Sequence, residues 1–462
     1  MKLFFSKYKL EIIIFSLALC VRLILFFINL DASNGNFIGA IHGDDGYYEL
    51  SQGLLNGHGF SWSQEEPFLP NTLRTPLYIY FIAGLVFVFG SYLAPLIAQI
   101  ILGSFIPILG FYIVLEIFSR RKIAFVTALL LAFEPYLTLF SSIFYTETLF
   151  IFLFLIFLIL FIKYIKKGSL RTLIWSSFIL GLATLTKTTV QYLPVIIFFL
   201  ILWNFRKAFF VKKLIFHSIL FPLVFIATIS PWLLRNYLEF GVVGMTAQPA
   251  YNLHVYFIPS ILSLENGTSF NSELNKYVKV EESSGEKITL ANSKEYTKKD
   301  LAFVKDHPVG FLKSIGITII TFFTHDGMLT VLEHTGYIPD QYIGRPAISL
   351  LLSSPISFFK KIYEYSMSPL FVVLLMRIVW IIATIFFIIG LFIFMKNRKC
   401  DTVSIFLFLL IFYFVATSAI GGLGVNARYR MPVNPVILSF ALTGFIYIRN
   451  AIMAKHEKRQ LS

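Results

Sequence analysis

Apolar residues run along this chain in long blocks, separated by short polar or basic breaks, and the blocks have the length of membrane-crossing helices. Runs at 10–30, 94–117, 123–140, 147–165, 170–186, 190–205, 214–234, 368–395, 402–420 and 431–449 are mostly roughly 17 to 25 residues long, enough to cross ~30 Å of hydrocarbon as a helix. In lipid the backbone must satisfy its hydrogen bonds within the segment, so helices are the form these runs take. Ten spans place both termini on one side. The run 76–90, about 15 residues with Gly84 and Gly90, reads as interfacial or re-entrant, and 309–324 reads the same way.

The expected fold is therefore an all-α polytopic membrane protein of about 10–12 transmembrane helices, with interfacial helices and a small extracytoplasmic subdomain. Three parts follow. Residues 1–234 form an N-terminal transmembrane module with a first outer loop at 31–93. Residues 235–367 form an outer subdomain with interfacial helices, and residues 368–462 supply the last transmembrane helices and a basic tail. Composition agrees: 57% hydrophobic and 17% aromatic residues cannot be wrapped in a water-facing surface. No small-residue cleavage site follows the first run, which is expected to be retained. The two cysteines, Cys20 in an apolar run and Cys400 in a basic loop, suggest no disulfide.

Charge changes the picture by orienting the chain. Arg120-Arg121-Lys122, Lys163/Lys166/Lys167/Arg171, Arg206/Lys207/Lys212/Lys213, Lys396/Arg398/Lys399 and both termini fall on one side, which the positive-inside rule makes the cytoplasm. Residues 31–75 carry six acids and one base, net −5, whereas the net charge of the whole chain is +14. The basic excess thus belongs to membrane orientation and implies no nucleic acid. Cytoplasmic loops are short and contain neither a G-x-G-x-x-G nor a P-loop, so chemistry is expected on the outer face of a plasma (inner) membrane.

The outer face holds the candidate chemistry. Asp44 and Asp45, in His42-Gly-Asp-Asp-Gly-Tyr-Tyr-Glu49, precede a short helical pattern, where a carboxylate serves as a general base or as a cap. Arg74 stands directly before the proline that opens the run at 76, either gripping phosphate or snorkelling. Glu147 opens a span at bilayer depth, where an unpaired acid is costly. Lys187, Arg235, Arg428 and Arg430 are outward cations at membrane level, against the orientation bias, and together with Arg74 suggest a lipid-phosphate site. Tyr47, Tyr48 and His58 are substrate-contact candidates. No His/Cys spacing of a recognised metal site occurs, so no metal site is assigned and no cofactor is expected to be required; His42, His58, His254 and His325-Asp326 leave a divalent metal open.

In order, the acid pair with Tyr before Gly57-His-Gly-Phe60, Arg74-Thr-Pro-Leu-Tyr78, Glu147, Leu185-Thr-Lys187, Pro231-Trp-Leu-Leu-Arg-Asn-Tyr237 and Arg428-Tyr-Arg-Met-Pro432 resemble the family 39 lipid-dependent glycosyltransferases. These are the protein O-mannosyltransferases and aminoarabinose transferases of the GT-C fold. The resemblance runs from about Val21 to Ile448 and is weakest over 240–367. It implies inverting transfer from a polyprenyl-phosphate-linked sugar donor to a lipid, glycan or protein acceptor. It also implies that Asp44 is the base, with Asp45 beside it, Glu147 the second outer acid, and the membrane-level cations the phosphate ligands. A lipid-sugar or ion transporter, or an oligosaccharide transferase or ligase, is the competing expectation.

Overall fold

The computed structural model describes residues 8–43, 45–205, 211–276, 287–338, 354–423 and 426–460. Its regular elements are helices, and one isolated bridge, Ser61 to Pro70, is its closest approach to a strand among the described residues. Among the described residues, seven helices are long and apolar enough to cross a membrane: Lys9–Ala32, Leu93–Phe118, Glu147–Lys167, Ile215–Phe240, Phe371–Asn397, Thr402–Ala419 and Ala427–Glu457. An eighth crossing arises if Ser293–Asp306 and Pro308–Thr324, bent by 99° where they meet, count as one span.

The other three expected spans are present as shorter apolar helices, and each interruption has a local cause. The run 123–140 divides into Arg121–Ala132 and Pro135–Leu139, because the Glu134 carboxylate caps the second helix by accepting from Leu137 N and Pro135 cannot continue the first. The run 170–186 is a helix of 17 residues that ends where Lys187 turns extended, at φ −154 and ψ 124. A 3-10 turn, Thr188–Val190, then leads into Leu193–Phe205. The run 76–90 is the 14-residue helix Pro76–Phe89.

The bundle packs around Glu147–Lys167, whose inward face, including Phe154, Phe157, Phe161 and Tyr164, is buried. Leu93–Phe118 and Leu170–Thr186 pack against it, and Lys9–Ala32 packs on Leu93–Phe118. Large apolar side chains such as Ile24, Phe27, Leu223, Ile226, Ile385 and Phe392 stay exposed on the outside, as expected of helices solvated by lipid. Phe371–Asn397 and the C-terminal helix cross at Gly390 and Gly444. A Cβ on Gly390 would collide with the Phe440 carbonyl, and one on Gly444 with the Phe386 carbonyl. Small residues at a crossing let backbones approach closely, which is how helices associate in lipid.

Candidate functional site: an ion-pair network on a deep cavity

Five ionised side chains from five separate segments meet beside a cavity of about 1870 Å³, which Asp45, Arg74, Lys187 and Arg428 line while Glu147 lies buried behind them. Asp45 occupies a turn that Gly46 closes at φ 74 before the helix Tyr47–Leu55. The Trp62 indole donates to Gly46 O at 3.0 Å, and a Cβ on Gly46 would lie 2.6 Å from the same nitrogen. Position 46 therefore requires glycine twice over, for its left-handed backbone and for the indole's approach.

The Asp45 carboxylate takes Arg74 Nη2 at 3.0 Å on one oxygen and Arg428 Nη2 at 2.8 Å on the other. Arg74 Nε also donates to the Asp45 carbonyl at 2.8 Å, and Arg74 Nη1 to Gln248 Oε1 at 2.9 Å. Local sequence aims this arginine: Asn71 Oδ1 accepts from Leu73 N and Arg74 N, and Pro76 starts the helix that follows. Glu147, 1% exposed at the first position of its helix, accepts from Lys187 Nζ at 2.5 Å and from Arg428 Nε. Arg428 bridges the two carboxylates, its guanidinium carbon 4.7 Å from the centre of the Tyr145 ring.

Three cations against two carboxylates leave this wall with net positive charge. Burial alone would raise the Asp45 carboxyl, but Arg428 and Arg74 outweigh it and hold the group down at about 2. Burial pushes the Lys187 ammonium below its ordinary value even with Glu147 beside it. Such a wall suits an anion that can share or take over the guanidinium donors.

The other residues singled out from the sequence are distributed unevenly. Asp44 lies outside the described residues. Tyr47 lines the cavity, with the Arg74 guanidinium 5.3 Å from its ring centre. Tyr48 packs instead against Tyr92, ring centres 4.7 Å apart, and accepts from Gln52. His58 stacks on Phe68 at 4.1 Å, outside the cavity lining. Arg235 also stands apart: its guanidinium lies over Trp232, Phe240 and Phe60 and donates to Asn236 Oδ1 at 2.9 Å. The Pro231-Trp-Leu-Leu-Arg-Asn236 motif is scaffold here, because Trp232 and Asn236 fasten the carbonyls of Gly244 and Met245. Arg430 is fully buried, not a cavity residue: it donates to Phe322 O at 2.8 Å and His325 O at 2.7 Å with Trp380 stacked on it.

Several lining residues gave no signal in the motifs. Gln248, Asn252 and Tyr256 face the cavity, spaced four apart, a helical polar stripe that a search for charges passes over. Glu49 also lines it, its carboxylate 2.6 Å from His42 Nε2. Among the described residues, no three of His, Cys, Asp and Glu gather as a metal-ligand group.

Comparison with known proteins bears on the same segments. No curated protein matches the chain. Among solved structures it is similar to the archaeal oligosaccharyltransferase AglB from Archaeoglobus fulgidus in complex with an inhibitory peptide and a dolichol-phosphate, at 16% identity and a TM-score of 0.49, covering 98% of this chain and 52% of that one. It is also similar to the apo form of the Archaeoglobus fulgidus oligosaccharyltransferase, at 16% identity and a TM-score of 0.48, covering 94% of this chain and 52% of that one. The chain thus spans about half the length of those proteins. Residues 73–234, about a third of the chain, match the family model for dolichyl-phosphate-mannose-protein mannosyltransferase. The stretch that supplies Arg74, Glu147 and Lys187 to the network is therefore similar to a membrane glycosyltransferase family, in keeping with the resemblance carried by the motifs.

Proposed function

We propose that this chain is an integral-membrane inverting glycosyltransferase that moves a sugar from a polyprenyl-phosphate donor to an acceptor at the outer face of the plasma membrane, with both termini in the cytoplasm. The observation that carries the reading is the convergence of Arg74, Lys187 and Arg428 on two carboxylates at the wall of one large cavity.

A sugar phosphodiester is stable until the charge on its departing phosphate is neutralised. Cations fixed where that charge develops lower the barrier most, because they need no reorganisation during the reaction. In this mechanism the donor phosphate engages Arg74 and Arg428. It thereby competes with Asp45 for the same guanidiniums and loosens their hold on its carboxylate. A carboxylate held at about 2 is a poor proton acceptor, so donor binding raises the basicity of Asp45 where basicity is needed. Asp44 or Asp45 takes the proton from the acceptor hydroxyl or amine. The acceptor atom bonds to the anomeric carbon as the bond from that carbon to the phosphate oxygen breaks, and the polyprenyl phosphate leaves with the electron pair. Glu147 keeps Arg428 and Lys187 in place throughout.

The test is reconstitution of the purified chain in lipid vesicles with a panel of polyprenyl-phosphate sugars, following donor consumption and labelled product. One donor should be consumed, and Asp44→Asn or Asp45→Asn should abolish transfer without impairing insertion. Full activity in both variants would overturn the base assignment. Consumption of no donor by the wild type would overturn the function.

A further inference from the structure

The helical stretch after the network contains a distortion that the mechanism does not use. Gln248–Tyr251 begins as an α-helix, widens into a π-helical turn at Asn252–Phe257 and returns to α-helix at Ile258–Glu265. π turns are rare, occur mostly as single-turn bulges inside α-helices and are frequent at functional sites.

Here the two faces of the turn have different tasks. On the far side His254 Nδ1 lies 2.9 Å from Asp300 Oδ1, with the Tyr296 ring edge-on at 5.0 Å, bracing the turn against the helix Ser293–Asp306. Ahead of the turn, Ala247 N donates to Thr72 O at 2.8 Å and ties it to the first outer loop. On the cavity side stand Gln248, Asn252 and Tyr256. Gln248 Oε1 accepts from Arg74 Nη1 at 2.9 Å, and Gln248 Nε2 donates to Asn252 Oδ1 at 2.7 Å. An unbroken chain of hydrogen bonds therefore runs from Asp45 through Arg74 and Gln248 to Asn252.

A sugar ester-linked to a phosphate on Arg74 must lie within one sugar ring of that guanidinium, which is where this row begins. Carboxamides and a phenol offer neutral donors and acceptors that match sugar hydroxyls. Trp62 and Tyr251, in the same wall, add aromatic surface for the apolar face of a ring. We infer that Gln248, Asn252 and Tyr256 form the surface that reads the hydroxyls of the donor sugar, and that the π turn exists to present them beside the phosphate site. The inference rests on the proposed transfer reaction and names the residues that choose its sugar.

The experiment uses the full chain in lipid nanodiscs with two polyprenyl-phosphate donors that differ in the orientation of one hydroxyl, together with sugar-free polyprenyl phosphate as a binding probe. In Asn252→Ala, kcat/KM for the preferred donor should fall roughly 10- to 100-fold and the ratio between the epimeric donors should move toward one. Binding of the sugar-free lipid phosphate should not change, which also reports a folded phosphate site. Gln248→Ala and Tyr256→Phe should shift the donor ratio in the same sense. The inference is overturned if all three variants keep the wild-type ratio. It is equally overturned if binding of the sugar-free lipid falls in step with activity, since the row would then serve only to hold Arg74. A wild-type chain that consumes no donor would instead remove the transfer reaction on which the inference rests.

Discussion

Arg428 and Arg430 leave the same helical turn, Asn426–Arg430, and end in contrasting surroundings. Arg428 reaches the cavity and joins Asp45 to Glu147, both of them charged. Arg430 turns into the protein and is absorbed by neutral acceptors, the carbonyls of Phe322 and His325 and the side chain of Asn434, under the face of Trp380. Exposure differs between them, the Arg428 side chain being 20% exposed and Arg430 fully buried, but exposure alone does not say which cation can exchange its anion. The partner does: a guanidinium on carboxylates beside open space can exchange one anion for another, whereas a guanidinium on backbone carbonyls closes a chain segment.

Substitutions test that contrast, and the largest effect falls on catalysis. Arg428→Ala should reduce transfer by about 10²- to 10³-fold, the usual consequence of losing one preorganised donor at a developing negative charge. Its fold should persist, because Arg74 still holds Asp45 and Lys187 still holds Glu147. Arg430→Met should do the reverse, lowering stability by about 3 kcal/mol by orphaning buried carbonyls while the folded fraction keeps its rate. Thermal unfolding in detergent alongside rate measurements decides between them. A larger loss of stability in the Arg428 variant would erase the distinction.

A smaller effect is expected at Gly46→Ala, where a left-handed backbone and the Trp62 indole both resist a side chain. A stability loss of about 1–2 kcal/mol should come with slower transfer, since the turn that aims Asp45 must shift. Unchanged kinetics would show that Asp45 tolerates displacement. The smallest effect is the acid response. Because the Asp45 carboxyl is depressed from 3.8 to about 2, its ion pairs stabilise the fold fully above pH ~4, and that contribution is lost as pH falls toward 2. Asp45→Asn should flatten the pH dependence of the unfolding midpoint in that window and lower the midpoint at pH 5 to 8 by an amount that stays constant across that range. An Asp45 contribution that varied near neutrality would contradict the pairing with Arg74 and Arg428.

Much of the architecture was legible because hydrophobic blocks and the lengths of the gaps between them determine which segments lie in lipid. The interruptions at Glu134-Pro135 and Lys187 were harder to read, since a polar residue near the end of an apolar run looks like an ordinary loop until its partner is known. At the cavity, Asp45, Arg74, Glu147, Lys187 and Arg428 stood out because charge near lipid demands compensation. The same logic also selected Arg235 and Arg430, because sequence gives no means of telling which partner a cation finds. Gln248, Asn252 and Tyr256 were silent for the opposite reason: neutral polar side chains between apolar runs are unremarkable, and only the cavity gives their four-residue spacing a meaning.

The bond between Glu147 and Arg428 spans 281 residues of sequence, and ribosomes add about 5–20 residues each second. Tens of seconds therefore separate the arrival of the acid from that of the arginine that completes its neutralisation. Lys187 emerges only 40 residues after Glu147 and can guard the acid during this interval. On this view the lysine is also a chaperone written into the chain, and its loss should show first in how much protein reaches the membrane intact.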